Sequence, residues 1–446
     1  MAFPFGRPIL CMAAVAAASG AAILTRPTHP SADLTVWTFT TTDAAADRAA
    51  AHAFTRATGH AVRVDLVAAQ AMEVRLSSLF MADLRPAVDP SRPDVVELEV
   101  GSVGKFLRGS PGDVGFLPLD GYLRRGGWLD HIVPGRLVPY TYGGHVFGVP
   151  LDLHPVTLVY RRDLIDLAAA DTWPRVQAEC LRLQRSRPGR FTLSLSGTSP
   201  DTLMVMLQQR HVDLVDANGV PHLTDPVVVD TLRWYARAAA GPDRIAADVN
   251  PAPGGTAADL ASGDVAAAVL ADWAVAALGR SQPSLAGKLT MVPLPRFDPD
   301  DARTASWGGT MVGIPRFCPR PDRAWDWIER TYLNTDAADA RWRVTGVLPP
   351  LPSAWAGPAF HRPDPFFGGQ RVTELYMRLS TEMPRRTVTP YTVTAQNLLA
   401  WALSRAVVRV RQSGDVTRTD CQSWLQARQD QLQRLIDFDR GSAAGT

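Results

Sequence analysis

The residues best placed to do chemistry are acids that stand beside an imidazole or an indole. Asp152 and His154 lie two apart in the stretch 143–163, GGHVFGVPLDLHPVTLVYRRD. Gly143 and Gly144 read as a turn, 145–149 alternate like a strand, Pro150 interrupts the pairing, and 156–160 form a second β-rich run. The stretch therefore predicts a strand crossing between two lobes, with Asp152 and His154 in the gap facing a cleft. His154 could equally pack against the second lobe, since a lone histidine is more often structural. Glu97 and Glu99 share a face of the strand predicted over 93–101, either at a solvated edge or turned to a ligand. Asp272 and Trp273 close a buried run, 263–273, at a strand-to-helix turn. There the indole either caps the sheet or offers a flat apolar platform, and the carboxylate can accept two hydroxyl hydrogen bonds. Two such acids around one bond could also hydrolyse a glycoside, if one of them had a raised pKa. No Gly-x-Ser-x-Gly elbow, His-Glu-x-x-His or phosphate loop is present.

These residues must be positioned by alternating strands and helices. The run 34–39 predicts a first strand, followed by the polar turn Thr40-Thr41-Thr42-Asp43 and a helix over 44–58 that stops at Gly59. Thr42 or Asp43 is the expected N-cap, and the same turn can contact a ligand at the carboxyl end of the strand. A strand at 61–68, a helix at 72–82 and the strand at 93–101 complete a β-α-β-α-β start, which specifies a parallel sheet covered by helices. Further on, Arg161 to Ile165 is expected to begin a helix, 241–258 to be a loop, and 305–314 to be a strand with central glycines that crosses between lobes a second time. The extended 347–352 could cross a third time. Helices over 395–412 and 419–438 close the chain.

Composition sets limits. At 446 residues the chain exceeds one ordinary core, and two lobes are expected. Its 46 basic and 44 acidic residues are scattered without a basic block, which argues against a dedicated nucleic-acid binder. Residues 1–32 read as a signal peptide or signal anchor plus linker: Arg7 precedes an apolar, Ala-rich run over 9–24, and Ser19 to Ala22 supply small residues for cleavage. The run approaches spanning length, so an uncleaved anchor is a second reading. Cys11 precedes the end of that run, where a lipoprotein signal would need its cysteine. Cys180, Cys318 and Cys421 are too far apart for a metal knuckle or redox pair, and buried thiols are expected.

Seven landmarks in order resemble the extracellular solute-binding proteins of ABC importers, of the maltose-binding type: the first strand 34–39, Pro93-Asp94-Val95-Val96, Phe116-Leu117-Pro118-Leu119-Asp120, Phe147-Gly148-Val149-Pro150 with 158–164, Gly263-Asp264-Val265-Ala266 to Asp272-Trp273, Ser306 to Gly309, and Thr345-Gly346-Val347-Leu348-Pro349. The resemblance covers roughly 33–440. It implies an α/β, two-lobe periplasmic binding protein fold of class II, with lobe 1 from 33–153 and 308–346, and lobe 2 from 154–307 and 347–446. It implies a sugar or oligosaccharide held between the lobes by Thr41, Asp43, Glu97, Glu99, Asp152, His154, Asp272, Trp273, Trp307, Gly308 and Tyr391, with Trp401 an alternative to Tyr391. Delivery to a membrane permease by hinge closure, a periplasmic or otherwise extracytoplasmic location, no cofactor or metal, and no catalysis belong to the same expectation. A tethered ligand sensor and an exported glycoside-active enzyme are the alternatives. The family's usual Tyr-Asn-Lys-Asp is Tyr160-Arg161-Arg162-Asp163 here, and its Gly-Pro-Trp is Ala271-Asp272-Trp273, so the ligand's identity stays open.

Overall fold

A computed structural model describes residues 32–82, 86, 89, 91–188, 191–248 and 255–444. The expected export segment, 1–32, lies outside the described residues but for Ala32. Among the described residues no helix is long and apolar enough to cross a membrane.

Two five-stranded sheets form the centres of two lobes. In the first, β1 (Leu34–Thr38) pairs in parallel with β2 (Val62–Leu66) and with β3 (Val95–Glu99). All five residues of β1 are buried, as a strand covered on both faces requires. Thr40, two residues earlier than expected, caps the helix Thr41–Thr58: its hydroxyl accepts the Asp43 amide, and Gly59 ends the helix at φ 77°. A short hairpin follows, with β4 (Thr141–Tyr142) and β5 (His145–Val146) joined through Gly143 and Gly144, both at positive φ. β6 (Val149–Pro150) is the outer strand of the sheet, beyond β12 (Thr310–Gly313), in the order β2-β1-β3-β12-β6. Pro150 does not interrupt pairing. It pairs with Met311 on an edge strand, where a missing N–H is tolerated, and the break falls at 151–155 instead.

The second sheet has the order β11-β7-β10-β8-β9. It is built from β7 (Val156–Arg161), β8 (Leu193–Leu195), β9 (Ala246–Asp248), β10 (Ala267–Ala271) and β11 (Leu289–Pro293). The helix expected from Arg161 is absent: Arg161 ends β7, its guanidinium forks onto Asp163 at 2.7 Å on both arms, and a turn follows. The expected loop at 241–258 contains β9, which pairs in parallel with β8. β12 (Thr310–Gly313) returns to the first sheet, antiparallel to both β3 and β6. It is shorter than expected because Gly308 and Gly309, at φ 97° and 141°, leave the extended conformation.

Helices complete each core. Pro321–Tyr332 and Thr335–Thr345 bury Trp325, Trp327, Ile328 and Tyr332 beside Leu34, Val36 and Val95. The long helix Thr392–Ser413 buries Leu399, Ala402, Leu403, Ala406, Val407 and Val410, a three-and-four spacing, against the second sheet's core. Each fully buried Leu or Val contributes about 1.5–3 kcal/mol. Cys180, Cys318 and Cys421 are buried free thiols, each pushed up to about 12 by burial.

Three passages between the sheets run side by side. Leu151 donates to the Thr310 carbonyl at 3.0 Å, Leu153 to Leu348 at 3.1 Å, Trp307 to His154 at 3.2 Å, and Val156 to Ala305 at 3.1 Å. The passage 151–155 thus lies between 305–310 on one side and 348 on the other.

Candidate ligand-binding cleft

Above these passages lies a cleft of about 1010 Å³. One wall comes from the turn after β1 (Phe39, Thr40, Thr42, Asp43), the helix Ala69–Met81 (Gln70, Glu73, Val74) and the end of β3 (Glu99, Gly101, Ser102). The other comes from the second sheet's helices and the segment before the long C-terminal pair (Gln208, Trp273, Arg280, Arg386, Gln396). Asp152, His154 and residues 306–310 form its floor.

The floor is an ionic chain. Arg136 donates from Nε to the Asp152 carbonyl and from Nη2 to Asp152 Oδ1, both at 2.6 Å, and from Nη1 to Ser306 Oγ at 2.9 Å. Asp152 Oδ1 also accepts the Thr310 amide at 3.2 Å. His154 spans the two acids, with Nε2 3.0 Å from Asp152 Oδ2 and Nδ1 2.7 Å from Asp272 Oδ1. Asp272 accepts further bonds from the Trp273 amide at 2.7 Å and the Leu348 amide at 2.9 Å. Burial alone would lower the imidazole's pKa, but the two carboxylates raise it to about 10, so it is an imidazolium with both N–H groups committed. Burial would raise the Asp152 carboxyl, yet His154 and Arg136 hold it well below the usual carboxylate range. His154 keeps φ 55°, a strained value for a non-glycine, inside this set of bonds. Gly309 leaves room for Arg136: a Cβ there would lie 2.1 Å from Nη2.

A second ionic group lies behind the first wall. Arg341 meets Asp47 at 2.6 Å, Asp43 at 2.9 Å and Glu97 at 3.2 Å, with Tyr332 donating to Glu97 at 3.1 Å and Thr38 donating to its other oxygen. Burial and the neighbouring Asp47 push the Glu97 carboxyl up, against Arg341.

The family model for bacterial extracellular solute-binding proteins matches residues 49–366. The chain belongs to this family. Among curated relatives, this solute-binding protein is 23% identical to an arabinooligosaccharide-binding protein of Halalkalibacterium halodurans, over 71% of its own length and 72% of the relative's. It is 26% identical to a lactose-binding protein of Rhizobium radiobacter, over 66% and 69%. Its fold superposes on the sugar-binding protein MalE of Xanthomonas citri with a TM-score of 0.73 at 19% identity, covering 91% of this chain and 99% of that one.

Of the residues expected at the site, the solute-binding protein brings Asp43, Glu99, Asp152, His154, Trp273, Trp307 and Gly308 to the cleft. Thr41, Glu97, Asp272 and Tyr391 do not line it. Thr41 is the exposed first residue of its helix. Glu97 is fully buried in the Arg341 group, and Asp272 is fully bonded beneath the floor. The Tyr391 phenol faces Asp439, and Trp401 lies between the guanidinia of Arg405 and Arg428 on the C-terminal helices. Asp43, though in the wall, spends one oxygen on Arg341 and the other on Thr40 Oγ at 2.6 Å. Asp152 and Asp272 spend their oxygens within the floor and Glu97 lies behind the wall, while Glu99 Oε2 takes the Gly101 amide at 2.8 Å. Trp273 is 42% exposed, with its Nε1 donating to the Trp307 carbonyl at 2.9 Å and its ring edge-to-face with Trp307 at 6.2 Å. The sequence reading missed Glu73, Lys105, Gln208, Arg386 and Gln396, which line the cleft from helices and loops carrying no motif.

Proposed function

We propose that this solute-binding protein holds a sugar or oligosaccharide in the interlobe cleft and delivers it to the membrane permease of an ABC importer by closing its lobes. The observation that carries the reading is Trp273, a half-exposed indole fixed by its own N–H and by Trp307, so that an apolar ring face meets the cleft at no further cost in ordering. Such a platform suits the C–H face of a pyranose or furanose. The names of the two curated relatives support the same ligand class. Closure pivots on the three passages, with 33–153 and 308–346 moving against 154–307 and 347–446, and the ligand shifts the population to the closed state by bonding to both walls at once. The protein works outside the cytoplasm and turns over no substrate.

Intrinsic tryptophan fluorescence across a panel of neutral and acidic oligosaccharides tests this. A saturable response is expected for at least one sugar, and Trp273→Ala should weaken it about tenfold, the equivalent of 1.4 kcal/mol. A flat response throughout the panel from folded protein refutes the reading.

A further inference from the structure

The charges of the cleft are nearly all cancelled by their own neighbours. Lys105 pairs with Glu73, Arg136 and His154 share Asp152 and Asp272, and Arg341 holds Asp43 from behind the wall. Arg386 differs. It is half-buried where the cleft meets a cavity of about 440 Å³ behind the passages, and it lines both. Among the described residues its guanidinium makes no hydrogen bond and no ion pair. Two acids face it, Glu99, whose Oε2 takes the Gly101 amide, and Asp213, whose two oxygens share the Thr387 amide; among the described residues neither is hydrogen-bonded to the guanidinium. The other groups around it are Arg136, a like charge, and Tyr140, whose buried hydroxyl has no partner.

A guanidinium withdrawn from water with its donors unspent is costly, and arginine does not relieve the cost by losing its proton. A sugar hydroxyl would take one bond and leave most of the donors unspent. A carboxylate or phosphate takes two parallel bonds and matches the charge. We propose that the ligand of this cleft is an acidic oligosaccharide, one of whose units carries an anionic group that docks on Arg386; this rests on the sugar-binding reading above. Glu99 opposes an anion at that point.

Titration calorimetry with matched ligands tests the proposal: galactotriose against trigalacturonate, xylotriose against xylotriose bearing a glucuronate branch, and each neutral sugar against its monophosphate. At about 20 mM salt, one acidic member should bind at least about tenfold tighter than its neutral partner, and the margin should shrink at about 0.5 M salt. Whether the uronate or the phosphate arm shows the margin identifies the anion. Arg386→Gln should abolish it while moving the neutral partner's affinity less than about threefold, and Arg386→Lys should keep part of it. Should Arg386→Gln fail to fold, Arg386→Lys and the salt dependence of the unaltered protein carry the test. Neutral sugars binding as tightly as acidic ones, or Arg386→Gln weakening both alike, overturns the acidic ligand and leaves sugar binding standing. Binding of neither class overturns both.

Discussion

His154→Ala should destabilise the protein more than any other single change on the cleft floor. The imidazolium lies between two buried carboxylates, 3.0 Å from Asp152 and 2.7 Å from Asp272. Its pKa rises from 6.5 to about 10 on folding, which corresponds to roughly 5 kcal/mol at 1.36 kcal/mol for each pH unit. Asp152 keeps Arg136, and Asp272 keeps the Trp273 and Leu348 amides, so part of the loss is recovered. About 3–4 kcal/mol is expected at pH 7, within the range for breaking a buried pair. The folded pKa is the higher one, so this contribution is complete below about 6.5 and fades as pH rises through about 10. Thermal melts followed by circular dichroism at pH 6, 7, 8, 9 and 10 give the assay. The gap between the unaltered protein and His154→Ala should be about 3–5 °C at pH 7 and close towards pH 10. His154→Asn, which tolerates positive φ, should lose less than the alanine variant. A gap that is absent at pH 7, or one that stays constant to pH 10, refutes the assignment of His154 as a bridging imidazolium.

Other expectations follow from the same geometry. Gly309→Ala places a Cβ 2.1 Å from Arg136 Nη2 at a φ of 141°; it should cost about 2–4 kcal/mol in urea unfolding, more than a surface glycine such as Gly369→Ala, where a Cβ meets nothing. Arg341→Met removes the shared partner of Asp43, Asp47 and Glu97. A loss of about 3–5 kcal/mol at pH 7 is expected, and it should diminish on acidification, since Glu97, raised by burial and by Asp47, gives up its charge as it takes up a proton.

What could be seen in the sequence was what is local. Gly59 ended its helix in the left-handed conformation, because such a cap needs only its own turn. The strand-to-helix junction at Asp272 was legible for the same reason. β9 was hidden because three residues, Ala-Ala-Asp, in a Gly- and Pro-rich stretch have no period, and only the open edge of β8 makes them a strand. Arg161-Arg162-Asp163 looked like a helical first turn, but the Arg161 fork onto Asp163 closes over two residues, a spacing an α-helix does not bring together.

The acids of the site show where local reading ends. A carboxylate offers about four lone-pair positions, and its sequence neighbours do not decide what fills them. Asp152 is filled by Arg136, 16 residues away, and Asp272 by His154, 118 residues away. Residues chosen for their ability to bind hydroxyls therefore bind one another, and they join the three passages into one ionic chain from Arg136 to the Leu348 amide. A floor so fully bonded has little left for a ligand beyond shape. Discrimination must then come from groups on the walls whose donors and faces are still open, among them the indole of Trp273 and the guanidinium of Arg386.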